Sequence, residues 1–184
     1  MTKQRLNGPT ILTLIRIFLV LPMMIFYGID ATWAKIIALI CFVVAAITDF
    51  IDGKWARKRH LVTNLGAFLD PLADKMLVNL TFLMFCVNGL VPVWMLSIIL
   101  VRDFAVDGIR MALARQGETI SASIWGKAKT MVQMIALTGI FLNLIINSNT
   151  VSIINITLLY ISTGLTMLSG YDYISKGWSK ATKQ

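Results

Sequence analysis

The sequence is poor in charged residues and in cysteine. Only 14% of its 184 residues are charged, whereas an average soluble domain has about 25%. Apolar residues make up 57%, and the mean hydropathy is +0.76. A soluble globule of this size would need far more polar surface to cover its core. The composition therefore excludes an ordinary soluble domain and a disordered chain, and it predicts an integral membrane protein.

The two cysteines, Cys41 and Cys86, each lie within an apolar stretch. We expect both to be reduced packing residues rather than a disulfide or a pair of metal ligands. The small number of cysteines also excludes a disulfide-stabilised scaffold. We find no internal repeat and no low-complexity segment, so the function has to be sought in the few charged residues.

Apolar segments predict six membrane-spanning helices, because one span takes about 20 residues. The predicted spans are 11–29, 33–50, 69–87, 92–113, 126–146 and 151–171. Asn147-Ser148-Asn149 interrupts a long uncharged stretch and predicts a hairpin between the last two spans. We therefore predict an all-α integral membrane protein with a single domain, residues 1–184.

Lysine and arginine are distributed unevenly between the two predicted sides of the membrane. Six spans place both termini and the second and fourth loops on one side, while the opposite side holds only Lys35. The basic side holds Lys3, Arg5, Lys54, Arg57, Lys58, Arg59, Arg115, Lys127, Lys176, Lys180 and Lys183. The positive-inside rule makes this side cytoplasmic. We predict a multi-pass plasma membrane protein whose basic face meets anionic lipid headgroups, and no nucleic-acid partner.

Four of the nine acidic residues fall within 26 residues: Asp49, Asp52, Asp70 and Asp74. Spacings of three and four residues place each pair on one face of its helix. A short connection makes the two helices antiparallel neighbours, so all four carboxylates can converge at the cytoplasmic interface. Unpaired carboxylates there would repel each other and be costly to desolvate. One or two divalent cations would relieve this, and oxygen ligands suit Mg²⁺ or Mn²⁺.

A simpler interpretation of the aspartates is that they cap helices or form ion pairs with neighbouring basic residues. Asp70-Pro71 has the pattern of an N-cap followed by proline in the first turn. Small residues lie one turn from the aspartates, at Gly53, Ala56 and Gly66. They permit close helix approach, and they also leave space for a flat ligand beside the cations.

The string Asp49-x2-Asp52-Gly53-x2-Ala56-Arg57-x8-Gly66-x3-Asp70-x3-Asp74 resembles, at every specified position, the signature of the CDP-alcohol phosphatidyltransferase family. The resemblance implies a six-helix membrane enzyme that uses CDP-diacylglycerol and two divalent cations, and we expect a homodimer, as in the family. It implies that the first three aspartates bind the cations and that Asp74 completes the site as general base. The nucleotide-binding positions that it implies are Asp52, Gly53, Ala56, Arg57 and Gly66.

The expected chemistry is a transfer at phosphorus. Two cations would neutralise the diphosphate and stabilise the leaving CMP. An acceptor hydroxyl, deprotonated by a nearby carboxylate, would attack the phosphorus that carries the lipid. We expect Asp74 to be the base and Asp70 to bridge the cations.

A second cluster of charges lies on the fourth span: Arg102, Asp103, Asp107 and Arg110. Charges within a membrane helix are functional candidates, although these four can also pair with one another. Lys127 and Lys129 follow at the start of the fifth span and can act as interface anchors. Alternatively, Arg102, Arg110, Lys127 and Lys129 form a pocket for a phosphate group on the acceptor.

The pattern Arg102-Asp103…Arg110…Gly126-Lys127-x-Lys129-Thr130-x2-Gln133 resembles the branch of the family whose acceptor is sn-glycerol 3-phosphate. The opening Asn7-x-Pro9-Thr10-x-Leu12-Thr13-x2-Arg16 is similar to that branch too. Two positions depart from it: Asp103 stands where glutamate is usual, and Asp107-Gly108 where small neutral residues are commoner. The roles of Asp103 and Asp107 therefore stay open.

Three alternatives compete with this interpretation. Within the family, the acceptor can be serine, which needs no cationic pocket, or an inositol phosphate, which does. A cation transporter should carry carboxylates near the membrane midplane and show repeats or broken helices, whereas these aspartates cluster at one interface. A purely structural membrane protein would not explain the eight matched positions.

Overall fold

A computed structural model describes residues 8–59, 64–115 and 123–181, with the side chains of 11–48, 69, 71–114 and 123–177. All regular secondary structure in these ranges is α-helical, which confirms the predicted class. The helices are α1 (Gly8–Tyr27), α2 (Thr32–Arg59), α3 (Asn64–Val87), α4 (Val93–Arg115), α5 (Ile124–Ile146) and α6 (Asn149–Ala181).

Two predicted breaks in the chain are confirmed by left-handed residues. Helix α3 ends at Val87, and Gly89 follows with φ 69°. Helix α5 ends at Ile146, and Asn147 takes φ 53° before α6 begins. Glycine adopts this conformation without steric cost, and asparagine tolerates it better than most residues. These two positions therefore set the ends of α3 and α5.

Three helices run further than their apolar segments. Helix α2 continues to Arg59 through the predicted basic loop, and α6 continues to Ala181 beyond the predicted end of the sixth span. Lysine and arginine are good helix formers, so the apolar pattern ends before the helix does. Helix α3 begins at Asn64, with Pro71 inside it. Asp70 is therefore not an N-cap, and that alternative was wrong.

The contacts divide the chain into two compact units. The first unit is Met1–Met84 with Ile140–Asn147, and the second is Phe85–Gly139 with Ser148–Gln184. In the first unit α1 packs against α2, and the ring of Phe141 lies 5.5 Å from Phe42 and 6.0 Å from Tyr27. The end of α5 thus completes an aromatic core.

Glycines allow the helices of the second unit to pack closely. A Cβ atom on Gly177 of α6 would lie 2.7 Å from Cγ2 of Ile109 on α4, and one on Gly139 of α5 would lie 2.1 Å from Oδ1 of Asn155 on α6. Real Cβ contacts essentially never come closer than 3.0 Å. The backbones of α4, α5 and α6 therefore approach each other where a side chain is missing.

The helices expose many large apolar side chains and bury a few charged ones. Phe18, Val87 and Phe104 are more than 70% exposed, whereas Arg16 and Lys129 are buried. Two helical segments of the described chain are long and apolar enough to cross a membrane, Ile124–Ile146 and Asn149–Gly177; shorter apolar helices run over Ile11–Tyr27 and Thr32–Thr48. Both cysteines are free thiols, as expected.

Candidate active site

The four aspartates of the signature lie on the two helices predicted for them. Asp49 and Asp52 are in α2, and Asp70 and Asp74 are in α3. Helical spacing places each pair on one face of its helix. The side chains of Asp49, Asp52 and Asp70 lie outside the described residues, as do those of the nucleotide-site positions Gly53, Ala56, Arg57 and Gly66.

Asp74 is the one member of the quartet whose side chain the structure describes. It is half-buried, and its Oδ1 atom is shielded from solvent. Its neighbours Ala73 and Leu77 are buried. Within the described residues no three potential metal ligands come together. By donor chemistry the quartet still fits hard divalent cations, which prefer carboxylate oxygens.

The first unit also buries a cation on α1. Arg16 is fully buried, and so is Thr13 one turn earlier. Burying a guanidinium is costly unless its charge is balanced. Apart from the quartet, the acidic residue of this unit is Asp30, which is 97% exposed and bound to Lys35 at 2.9 Å. Arg16 therefore lies inside the first unit and not at its surface.

In the second unit, one carboxylate holds two of the predicted phosphate-binding cations. Oδ1 of Asp103 on α4 accepts hydrogen bonds from Nη1 of Arg102 at 2.9 Å and from Nζ of Lys129 at 2.8 Å. The three side chains are only 6–14% exposed. They form a buried ion triad with a net charge of one positive unit, so part of the predicted positive potential is balanced inside the protein.

Arg102 is further fixed by contacts to α5 and α6. Its Nη2 donates to Oγ of Ser169 on α6. A Cβ atom on Gly170 would lie 3.0 Å from Cγ of Arg102, and one on Gly126 would lie 3.6 Å from Nη2. The stem of Arg102 thus passes close to Gly170, where a side chain would crowd it, and its guanidinium is bound by Asp103 and Ser169.

Arg110 lies in different surroundings. It is exposed, and its Nη2 donates to the hydroxyl of Tyr173 on α6. Its guanidinium carbon stands 4.9 Å from the centre of the Tyr173 ring. No carboxylate of the described chain forms an ion pair with it. Arg110 therefore keeps its full positive charge at an accessible position.

The two lysines of α5 do not share a surface. Lys127 is exposed and Lys129 is buried, as expected for residues two positions apart on a helix. Lys127 lies one turn after Ser123, whose carbonyl accepts its backbone N–H at 3.3 Å. The structure therefore separates the four predicted cations into an accessible pair, Arg110 and Lys127, and a buried pair, Arg102 and Lys129.

Sequence reasoning missed Tyr173 and Ser169. Ser169 lies inside the predicted sixth span, 151–171, and Tyr173 lies just beyond its end. The signal lay in the spacing: Ser162, Thr166, Ser169 and Tyr173 recur every three or four residues, and all are buried. A buried polar stripe at that period marks the face on which a membrane helix meets its neighbours.

Comparison with known proteins identifies relatives of the whole chain. The sequence model of a family described as CDP-alcohol phosphatidyltransferase matches residues 6–168. A Bacillus subtilis protein is 38% identical, with 94% of this chain and 95% of the relative covered. A Rickettsia bellii protein is 37% identical, with 91% of this chain and 93% of the relative covered. A protein from Arabidopsis thaliana is 34% identical, with 96% of this chain and 82% of the relative covered. The first two are named CDP-diacylglycerol–glycerol-3-phosphate 3-phosphatidyltransferase, and the third carries the same name with the number 2.

Proposed function

The chain belongs to the CDP-alcohol phosphatidyltransferase family, and from that premise we propose that it is a phosphatidylglycerophosphate synthase. It would transfer the phosphatidyl group of CDP-diacylglycerol to sn-glycerol 3-phosphate, giving phosphatidylglycerol phosphate and CMP. The observation that carries the proposal is the pair of relatives with this name that match more than nine tenths of both chains.

We propose that Asp49, Asp52, Asp70 and Asp74 hold two divalent cations, Mg²⁺ or Mn²⁺. The support is the donor set: four carboxylates, paired at helical spacing on α2 and α3. When bound, such ions neutralise the diphosphate and stabilise the leaving phosphate. Small residues beside the quartet (Gly53, Ala56, Gly66) would leave room for the cytidine nucleotide, and Arg57 would contact its phosphates.

Asp74 is the proposed general base. Its half-buried position favours a carboxylate that can accept a proton while it is protected from bulk water. It would take the proton of the acceptor hydroxyl. The hydroxyl oxygen then forms a bond to the phosphorus that bears the diacylglycerol, and the bond from that phosphorus to CMP breaks.

The acceptor phosphate is assigned to the cations of the second unit. We propose that Arg110 and Lys127 contact it directly, because both are exposed. Arg102 and Lys129 would add the residual positive charge of the ion triad. An acceptor with its own phosphate gains from this charge, whereas serine would not.

The proposed setting is a multi-pass protein of the plasma membrane with six spans, cytoplasmic termini and a cytoplasmic active site. Apolar side chains on the outside of the helices support membrane burial, and the side bias of lysine and arginine supports the orientation. A homodimer is proposed from the family resemblance alone.

The test is an assay of CMP release by the purified protein in vesicles that contain CDP-diacylglycerol. Glycerol 3-phosphate, serine and inositol phosphate are supplied in parallel, with Mg²⁺ or Mn²⁺. We expect release with glycerol 3-phosphate and none after chelation. Faster release with serine or inositol phosphate would reassign the acceptor, and release that persists after chelation would remove the metal site.

A further inference from the structure

Tyr173 joins three elements at one end of the second unit. Its side chain on α6 is 2% exposed. Its hydroxyl oxygen accepts a hydrogen bond from Nη2 of Arg110 on α4 and another, at 3.1 Å, from the backbone N–H of Ser123, the residue before α5. A phenol oxygen has two lone pairs, so these two donors use its whole accepting capacity.

The ring of Tyr173 adds a second contact with the arginines of α4. The guanidinium carbons of Arg110 and Arg102 lie 4.9 Å and 5.5 Å from the ring centre. Both distances are within the range in which a cation is attracted to an aromatic ring. The ring thus restrains Arg110 from one side while the hydroxyl fixes one of its nitrogens.

The two arginines differ in what holds them. Arg102 is held by the carboxylate of Asp103, which balances its charge. Arg110 is held by a neutral phenol, which orients the guanidinium and leaves its charge intact. An arginine binds a phosphate strongly when two of its N–H groups donate to two phosphate oxygens. Its guanidinium must therefore be oriented toward the phosphate, and it must keep N–H groups that no other acceptor uses. A neutral buried anchor satisfies both needs.

We infer that Tyr173 is a positioning residue for the acceptor: it orients Arg110 toward the phosphate group of the incoming alcohol. The inference rests on the proposed function, because it assigns Arg110 to that phosphate. Tyr173 lies outside the signature between Asp49 and Asp74. In this role it affects the affinity for phosphorylated acceptors and not the rate of the chemical step.

The test is Tyr173→Phe in the full-length protein, assayed in vesicles for its kinetic constants. The change keeps the ring and removes the hydroxyl, so the charged guanidinium of Arg110 loses the acceptor of one of its hydrogen bonds. We expect the KM for glycerol 3-phosphate to rise about tenfold, while the KM for CDP-diacylglycerol and kcat stay within about threefold. The matched control is Tyr171→Phe, two residues away on the same helix and 76% exposed, which should leave all three constants unchanged.

A double-mutant cycle shows whether Tyr173 acts through Arg110. Arg110→Ala alone should raise the KM for glycerol 3-phosphate at least as much as Tyr173→Phe does. In the Arg110→Ala background, Tyr173→Phe should then have no further effect on that KM. An undiminished effect in that background would overturn the inference, and so would an equal rise in both KM values or no change in Tyr173→Phe.

The outcomes also separate this inference from the proposed function. If Arg110→Ala raises the KM and Tyr173→Phe does not, the phosphate site stands and only the positioning role fails. If Arg110→Ala has no effect, the assignment of Arg110 to the phosphate fails and the inference fails with it. Should Tyr173→Phe not fold, Tyr173→Leu replaces it, because leucine offers no acceptor to Arg110, and an unchanged KM for glycerol 3-phosphate would overturn the inference.

Discussion

The two units of the chain carry the same net charge but arrange it differently. The first has nine basic and five acidic residues and the second has eight and four, so each has a net charge of +4. In the first unit four carboxylates lie within 26 residues on α2 and α3. In the second, Asp103 lies between Arg102 and Lys129 and binds both.

This difference leads to a rule: a cluster of charged side chains indicates a binding site only when opposite charges of the protein itself do not neutralise it. The proposed metal site follows this rule, because four carboxylates that converge would repel each other and would be costly to desolvate without bound cations. The Asp103 triad is largely balanced by itself, so it acts mainly as a structural element. Within the second unit the same criterion singles out Arg110, whose anchor is neutral.

The largest expected effect tests the proposed metal site on α2 and α3. Asp74→Asn removes the proposed base and one cation ligand but keeps the size of the side chain. We expect kcat for CMP release to fall about 10³-fold or more, with an unfolding temperature close to that of the wild type. The control is Asp30→Asn, an exposed carboxylate of the same unit, which should keep full activity.

A near-normal rate for Asp74→Asn would contradict the role of Asp74 as base. A loss of folding instead of rate would show that the main role of Asp74 is structural. The charges of the aspartate quartet would then be neutralised inside the protein, as those of the Asp103 triad are.

The sequence was sufficient to predict the fold class, six helices and the breaks at Gly89 and Asn147. These features follow from local rules: apolar length, and residues that tolerate a left-handed backbone. It was not sufficient to predict the length of α2 or of α6, because basic residues continue a helix after the apolar pattern has ended.

The four predicted phosphate-binding cations show how much of the site can be predicted from the sequence. Their charge was visible in the sequence, but their partners were not. Lys127 and Lys129 look alike in the sequence, yet one is exposed and the other is bound to Asp103. The contacts of Tyr173 join α4, the start of α5 and α6, and no local pattern predicts which helices meet.

The second prediction concerns the buried ion triad of Arg102, Asp103 and Lys129. Asp103→Asn leaves Arg102 and Lys129 buried without their carboxylate, and removing one partner of a buried ion pair typically costs about 3–5 kcal/mol. We expect a corresponding loss in the free energy of unfolding, measured in detergent micelles with denaturant. The control is Asp172→Asn, whose partner Lys176 is 54% exposed. A loss below about 1 kcal/mol for Asp103→Asn would show that the triad is not structural.

A third prediction tests the close packing of α6 against α4 at Gly177. In Gly177→Ala the new methyl group meets Cγ2 of Ile109 at 2.7 Å, and overpacking of this kind costs about 1–3 kcal/mol. Gly164→Ala on the same helix is the control, because nothing lies within 4 Å of its Cβ position, and it should be neutral or slightly stabilising. Equal unfolding free energies for the two variants would mean that Ile109 can move aside for the new methyl group without cost.

The smallest expected effect is at the exposed ion pair of the first unit, Lys35 with Asp30. Its N–O distance of 2.9 Å is nearly that of Lys129 with Asp103, at 2.8 Å, but Asp30 is 97% exposed and Asp103 is 12% exposed. Water screens an exposed pair, and such pairs are worth about 0–1 kcal/mol. We expect Lys35→Ala to change the unfolding free energy by no more than about 0.5 kcal/mol, measured under the same conditions as Asp103→Asn. A loss as large as that of Asp103→Asn would mean that distance rather than burial sets the value of an ion pair in this protein.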